Sequence, residues 1–150
     1  MDARERQEWV FDDIVPGMQL QDINYTITSE ILARYLDGID DLNPLYLDEE
    51  YAKNTPFAGP VVPPISMAIY TTVSGLIRPM GLVTPPGLVH AKQRYEFTGI
   101  VRPDEKLLIK SVVADKYEKK GRKFVQLKSE VYNEKGEKVG TGWLTAIWSK

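Results

Sequence analysis

The residues able to do chemistry in this 150-residue chain crowd into one stretch. Positions 35–52 bring a carboxylate, a carboxamide and a phenol within six places of one another, at Asp41, Asn43 and Tyr46. Pro63, Pro64, Ile65 and Ser66 follow at the head of an apolar run. Tyrosine is a poor general base at neutral pH, because its unperturbed pKa lies near 10 against about 6.5 for histidine. Its hydroxyl can still orient a water. The same residues also admit structural readings. Asp41 with Asn43-Pro44 describes an Asx turn, Tyr46 a packed aromatic with a satisfied hydroxyl, and Ser66 a cap or a packing residue. Asp48-Glu49-Glu50 suits the start of a further helical turn, where carboxylates meet the positive end of the helix dipole.

Composition narrows the chemistry. There is no cysteine, which removes disulfides, thiolate zinc sites and thiol nucleophiles together. The lone histidine, His90, falls in a strand pattern and argues against a His-rich metal site or a self-contained Ser-His-Asp triad. Neither a Gly-rich phosphate loop nor metal-ligand spacing is present, so no cofactor and no metal are expected. With 43% hydrophobic residues the chain has material for one core and reads as a single domain over residues 1–150. Charge is uneven. Residues 1–75 hold 4 basic and 13 acidic side chains, a balance of −9, and residues 76–150 hold 15 and 8, a balance of +7. That pattern speaks against an evenly basic nucleic-acid protein. Lys119, Lys120, Arg122 and Lys123 could meet phosphates of a ligand or simply form a solvated hairpin tip. Residues 1–8 are charged, without the apolar run of a signal peptide, and no stretch reaches the ~20 apolar residues of a membrane span. A cytoplasmic protein is expected.

These residues need elements to position them. Residues 18–27 read as a first strand after a Pro16-Gly17 turn, and Thr28-Ser29-Glu30 starts a short helix ending near Gly38. Residues 64–77 are apolar on nearly every side, with proline at the first helical position, and predict one helix buried all round. Strands are expected over 89–97, 106–118, 123–133 and 137–148, with hairpins at Lys120-Gly121 and at residues 133–136. Gly140 and Gly142 would let the helix or another backbone approach closely. The expected class is α+β: one antiparallel sheet curled about a long central helix over about residues 64–77.

The run Asp41, Asn43-Pro44-Leu45, Asp48, Ala52, Phe57 and Val61-Val62 resembles the MaoC-like family of (R)-specific enoyl-CoA hydratases and 3-hydroxyacyl dehydratases. Residues 88–91, leading into Tyr95-Glu96-Phe97, and residues 101–105 also look like that family's middle strand and following loop. The resemblance covers nearly the whole chain and implies a single hotdog fold. It also implies roles, since in that family an Asp and a His activate one water for addition across the substrate double bond. Asp41 stands at the Asp position and Tyr46 at the His position. The family's His-Gly at the helix head, whose glycine N–H meets the thioester oxygen, is Pro63-Pro64 here. Proline has no N–H to offer. The apolar-Pro-Pro version is similar to the non-catalytic half of two-subunit dehydratases.

Three functional expectations follow from that resemblance. The first is a subunit of an acyl-thioester dehydratase/enoyl-CoA hydratase, forming a homodimer or a heterodimer with another MaoC-like hotdog chain. Coenzyme A or acyl carrier protein would enter only as part of the substrate. The second is a self-sufficient hydratase using Asp41 with a water positioned by Tyr46, and the third a non-catalytic acyl-CoA-binding protein. A hotdog thioesterase is a weaker alternative. Pro63, Pro64, Ile65 and Ser66 are the expected substrate-binding residues.

Overall fold

The computed structural model describes residues 6–150; residues 1–5, most of the charged stretch read as lacking a leader, lie outside them. Its frame is a five-stranded antiparallel sheet in the order β2-β5-β6-β7-β4. The strands are β2 (Ile23–Thr26), β4 (Val89–Phe97), β5 (Lys106–Lys119), β6 (Arg122–Tyr132) and β7 (Lys138–Trp148). Alternation decides which face is dry. On β6, Val125, Leu127, Ser129 and Val131 are buried, while Gln126, Lys128 and Glu130 between them stay half-buried on the outer face. The β5–β6 hairpin turns on Lys120 and Gly121, both at positive φ (51° and 72°), as a two-residue turn matched to strand twist requires.

The first strand is shorter than its pattern suggests. Gln19 makes an isolated bridge to Val112, exposed Gln21 and Asp22 interrupt the ladder, and regular pairing resumes at Ile23. A two-residue parallel pair, β1 (Gln7–Glu8) with β3 (Leu82–Val83), lies outside the main sheet and has no signal in the sequence pattern. Near it the two ends of the described chain meet. The Trp148 indole donates to the Trp9 carbonyl at 2.6 Å, and the two rings meet edge to face.

Helical residues share one core with the buried face of the sheet. Helix α1 (Ser29–Gly38) starts where expected, with the Thr28 hydroxyl accepting the Ile31 N–H at 3.2 Å. Short helices α2 (Pro44–Leu47) and α3 (Glu49–Lys53) follow, capped by the side chains of Asn43 and Asp48. The expected continuous helix over 64–77 is instead broken. A 3-10 turn, Pro64–Ser66, leads into α4 (Met67–Tyr70), and the chain restarts as α5 (Val73–Ile77). Two threonines make the break. The Thr71 hydroxyl bonds back to the Met67 carbonyl at 2.8 Å, and Thr72 turns extended (ψ 148°) so that its hydroxyl caps the Gly75 N–H. The segment is also not buried all round. Met67, Tyr70, Val73, Leu76 and Ile77 face the sheet, whereas Ile65, Ala68, Thr72, Ser74 and Gly75 are exposed. One curved sheet can wrap only one side of it.

Gly140 and Gly142 admit this packing. A Cβ on Gly140 would collide with Met67 Cε and stand 3.1 Å from the Glu96 carbonyl oxygen, and Met67 Sδ lies 3.6 Å from the Cβ position of Gly142. Burying Met67 in that notch is worth roughly 1.5–3 kcal/mol.

Candidate functional site

The stretch of polar residues folds as a chain of local caps. Helix α1 ends as the Ile39 N–H returns to the Tyr35 carbonyl and Asp40 turns to positive φ (53°), a conformation aspartate tolerates. The Asp41 carboxylate then accepts the Asn43 N–H at 3.0 Å, and the Asn43 side chain accepts the Leu45 N–H at 3.0 Å. Pro44 takes the first position of α2, where its missing N–H costs nothing. The turn delivers Tyr46, half-buried, into the wall of a cavity.

That cavity, of about 220 Å³, is the apolar pocket at the head of the broken helix. An engineered apolar cavity of about 150 Å³ takes benzene, so this one has room for a hydrocarbon chain of several carbons. Its inner wall is buried: Val61, Val62, Met67 and Val139. Phe57, Phe97 and Ile100 stand exposed at the mouth. Hydroxyl-bearing side chains on the wall come from Tyr46, Ser66 and Tyr70. Pro63 and Pro64 form the helix head, so the first N–H there belongs to Ile65; the next, of Ser66, is given to the Pro63 carbonyl at 3.0 Å.

The expected substrate-binding residues therefore divide. Pro63, Pro64 and Ser66 line the pocket, with Ser66 only 2% exposed. Ile65 does not line it; the 3-10 turn rotates its side chain to the surface, where it is 49% exposed. Asp41 and Asn43 are also absent from the wall, because their side-chain oxygens are engaged in the turn that carries Tyr46. Asp41 nevertheless acts on its neighbours. Burial first, and then the Asp41 charge, push the Tyr46 phenol above its usual pKa. Tyr35 is raised as well, by burial first and then by Tyr95, Asp41 and Tyr46. Sequence reasoning passed over Tyr70, one helical turn beyond Ser66. The i, i+4 spacing of Ser66 and Tyr70 was the available signal.

Other candidates stand apart. His90 is exposed on β4. Lys119, Lys120, Arg122 and Lys123 sit at the end of the sheet where Lys123 faces Trp148, whereas the pocket abuts Val139, nine residues back along β7. That is about 30 Å of strand. Among the described residues no group of three or more His, Cys, Asp or Glu side chains is placed to hold a metal, and no helix is long and apolar enough to cross a membrane.

Residues 15–141 match the family described as the FAS1-like dehydratase domain region. The chain belongs to this family. A UPF0336 protein of Streptomyces avermitilis is 28% identical over 120 residues, 78% of this chain and 80% of its own length. Solved structures share the fold at lower identity. The monoamine oxidase regulatory protein of Archaeoglobus fulgidus superposes with a TM-score of 0.84 at 22% identity, covering 97% of each chain. The HadBC 3R-hydroxyacyl-ACP dehydratase complex of Mycobacterium tuberculosis gives 0.74 at 20% identity, covering 89% of this chain and 96% of its own. The fold of this FAS1-like dehydratase-region chain is thus the hotdog of MaoC-like hydratases and dehydratases. Within that fold it carries Tyr46 and Pro64 where the MaoC-like resemblance places His and Gly.

Proposed function

We propose that this chain is a hotdog subunit of an acyl-thioester dehydratase/enoyl-CoA hydratase, in which a second MaoC-like hotdog chain supplies the intact Asp/His pair. The reaction is reversible addition of water to a trans-2-enoyl thioester, and coenzyme A or acyl carrier protein enters only as part of the substrate. One observation carries the reading: an apolar pocket at the head of the hotdog helix, bounded by Pro63 and Pro64. The pocket suits an acyl chain, while Pro64 leaves its position at the helix head without the N–H that would stabilise charge on a thioester oxygen. Losing one such donor typically costs ~10²–10³ in rate. Tyr46 does not replace the missing base, because its raised pKa keeps the phenol protonated. A partner also has somewhere to sit: β4 ends the sheet with most of its residues exposed, among them Val89 and Phe97. The relative HadBC dehydratase is itself a complex of two kinds of chain.

A second reading, a self-sufficient homodimer, draws on the turn in which the Asp41 carboxylate and the Asn43 side chain present Tyr46 to the pocket wall. In it Asp41 is the base and the Tyr46 hydroxyl orients the water. The deciding assay follows loss of enoyl absorbance with a short trans-2-enoyl-CoA, using the pure chain and the chain mixed with a MaoC-like partner that bears Asp and His. Turnover only in the mixture supports the subunit. Turnover by the pure chain that Asp41→Ala abolishes selects the homodimer. Binding without turnover in either case leaves an acyl-CoA-binding protein.

A further inference from the structure

Arg102 has no part in the site as described so far, yet its side chain holds the chain segment that forms the pocket's mouth. One guanidinium nitrogen, Nη1, donates to the Gly59 carbonyl at 2.9 Å and the Pro60 carbonyl at 3.1 Å, and Nη2 donates to the Phe57 carbonyl. No carboxylate among the described residues pairs with this guanidinium, so three backbone carbonyls carry its compensation. Glu105, the nearby acid, accepts the Arg102 backbone N–H at 2.9 Å instead and fixes the loop from which the side chain springs.

What Arg102 holds is a strained turn. Ala58 sits at φ 53° and Gly59 at φ 151°, and a Cβ on Gly59 would stand 3.3 Å from Arg102 Nη1. The left-handed φ of Ala58 costs a non-glycine residue free energy and persists only where surrounding contacts over-determine it, whereas Gly59 reaches its φ freely for want of a Cβ. The turn matters because of what flanks it. Phe57, just before it, stands at the mouth, and Val61 and Val62, just after it, form the buried wall. The Val62 N–H then joins the Val101 carbonyl at 2.8 Å, so residues 57–62 are fastened at both ends to the loop that carries Arg102.

We propose that Arg102 is a positioning residue: it clamps the turn at Phe57–Pro60 and so fixes the shape of the mouth through which the acyl chain enters. Binding of an acyl thioester at this pocket rests on the function proposed above. The clamp itself does not, and the two are separable by experiment. A lysine cannot reproduce the clamp, since an ammonium lacks the planar fork that reaches several carbonyls at once.

The test measures hydrogen exchange of the five backbone amides within residues 57–62 (Pro60 has none) together with the Kd for hexanoyl-CoA, in the wild type, Arg102→Gln and Arg102→Lys. Exchange at residues 57–62 is expected to speed up at least tenfold in Arg102→Gln, with the β5 and β6 amides unchanged, and binding to weaken about tenfold. Arg102→Lys should fall between, and guanidinium ion at tens of millimolar should restore part of the binding to Arg102→Gln. Unchanged exchange at residues 57–62 overturns the clamp, as does weaker binding with no local change in exchange. If Arg102→Gln does not fold, the same readouts on Arg102→Lys decide. A wild type that binds no hexanoyl-CoA counts against the acyl-thioester reading, and the exchange data alone then judge the clamp.

Discussion

The Asp41 carboxylate accepts the backbone N–H of Asn43 at 3.0 Å, so the residue best placed by resemblance to act as a base is also the hinge of the turn that presents Tyr46. The two roles separate by substitution. Asp41→Asn keeps a side-chain oxygen for the turn and removes the charge; Asp41→Ala removes both. Loss of the turn bond is worth about 1 kcal/mol, or about 2–4 °C in Tm for a domain of this size. Asp41→Ala is therefore expected to melt lower than the wild type and Asp41→Asn to match it. If the chain is a base-bearing enzyme, both variants lose turnover, measured in the same assay.

Tyr46 and Pro64 supply a gain-of-function test. Tyr46→His installs a group that titrates near neutrality, and Pro64→Gly returns an N–H to the helix head. The double variant is expected to hydrate a short trans-2-enoyl-CoA without a partner, at least tenfold faster than the wild-type chain alone. Tyr46→Phe, which removes only the phenol oxygen, should leave the pure chain as inactive as before. Substantial wild-type turnover lost in Tyr46→Phe would instead favour the self-sufficient reading.

Gly140 sets how closely α4 lies on the sheet. Gly140→Ala is expected to cost about 1–3 kcal/mol through overpacking against Met67 and the Glu96 carbonyl 3.1 Å away. Met67→Ala alone should cost about 2–5 kcal/mol by leaving a cavity. The double variant should lose at least 0.5 kcal/mol less than the sum, because the added methyl occupies space that Met67 vacates. Urea denaturation of the four proteins measures the cycle.

The sequence disclosed the elements better than their joints. The four long strands and the Thr28 and Asp48 helix starts were legible because period-two alternation and side-chain caps are local signals. Gly140 and Gly142 likewise pointed to a close approach. The break at Thr71-Thr72 was hidden by hydrophobicity, since the apolar run continues across it and the two hydroxyls that make it carry no helix-breaking signal of their own. At the site, Tyr46, Pro63, Pro64 and Ser66 could be named from motif positions. The tilt that sends Ile65 outward and the contacts that bring Arg102 onto residues 57–60 depend on long-range placement, to which neither spacing nor periodicity is sensitive.

Tyr70 offers a pH test of the same interior. It is 7% exposed and its ring lies 5.1 Å from that of Tyr25, and burial pushes its phenol well above the ordinary value near 10. A pKa higher in the folded than in the unfolded state means that the neutral phenol favours folding. The contribution is complete below pH 10 and is lost as pH rises from there toward the folded-state pKa. One such group removes up to about 1.4 kcal/mol of stability per pH unit in that range. Tyr70→Phe cannot ionise. The stability difference between wild type and Tyr70→Phe, measured by urea denaturation from pH 7 to pH 11.5, should stay flat up to pH 10 and then shift in favour of the variant. A difference that stays flat to pH 11.5 would mean that the Tyr70 phenol ionises in the folded protein as easily as in the unfolded chain.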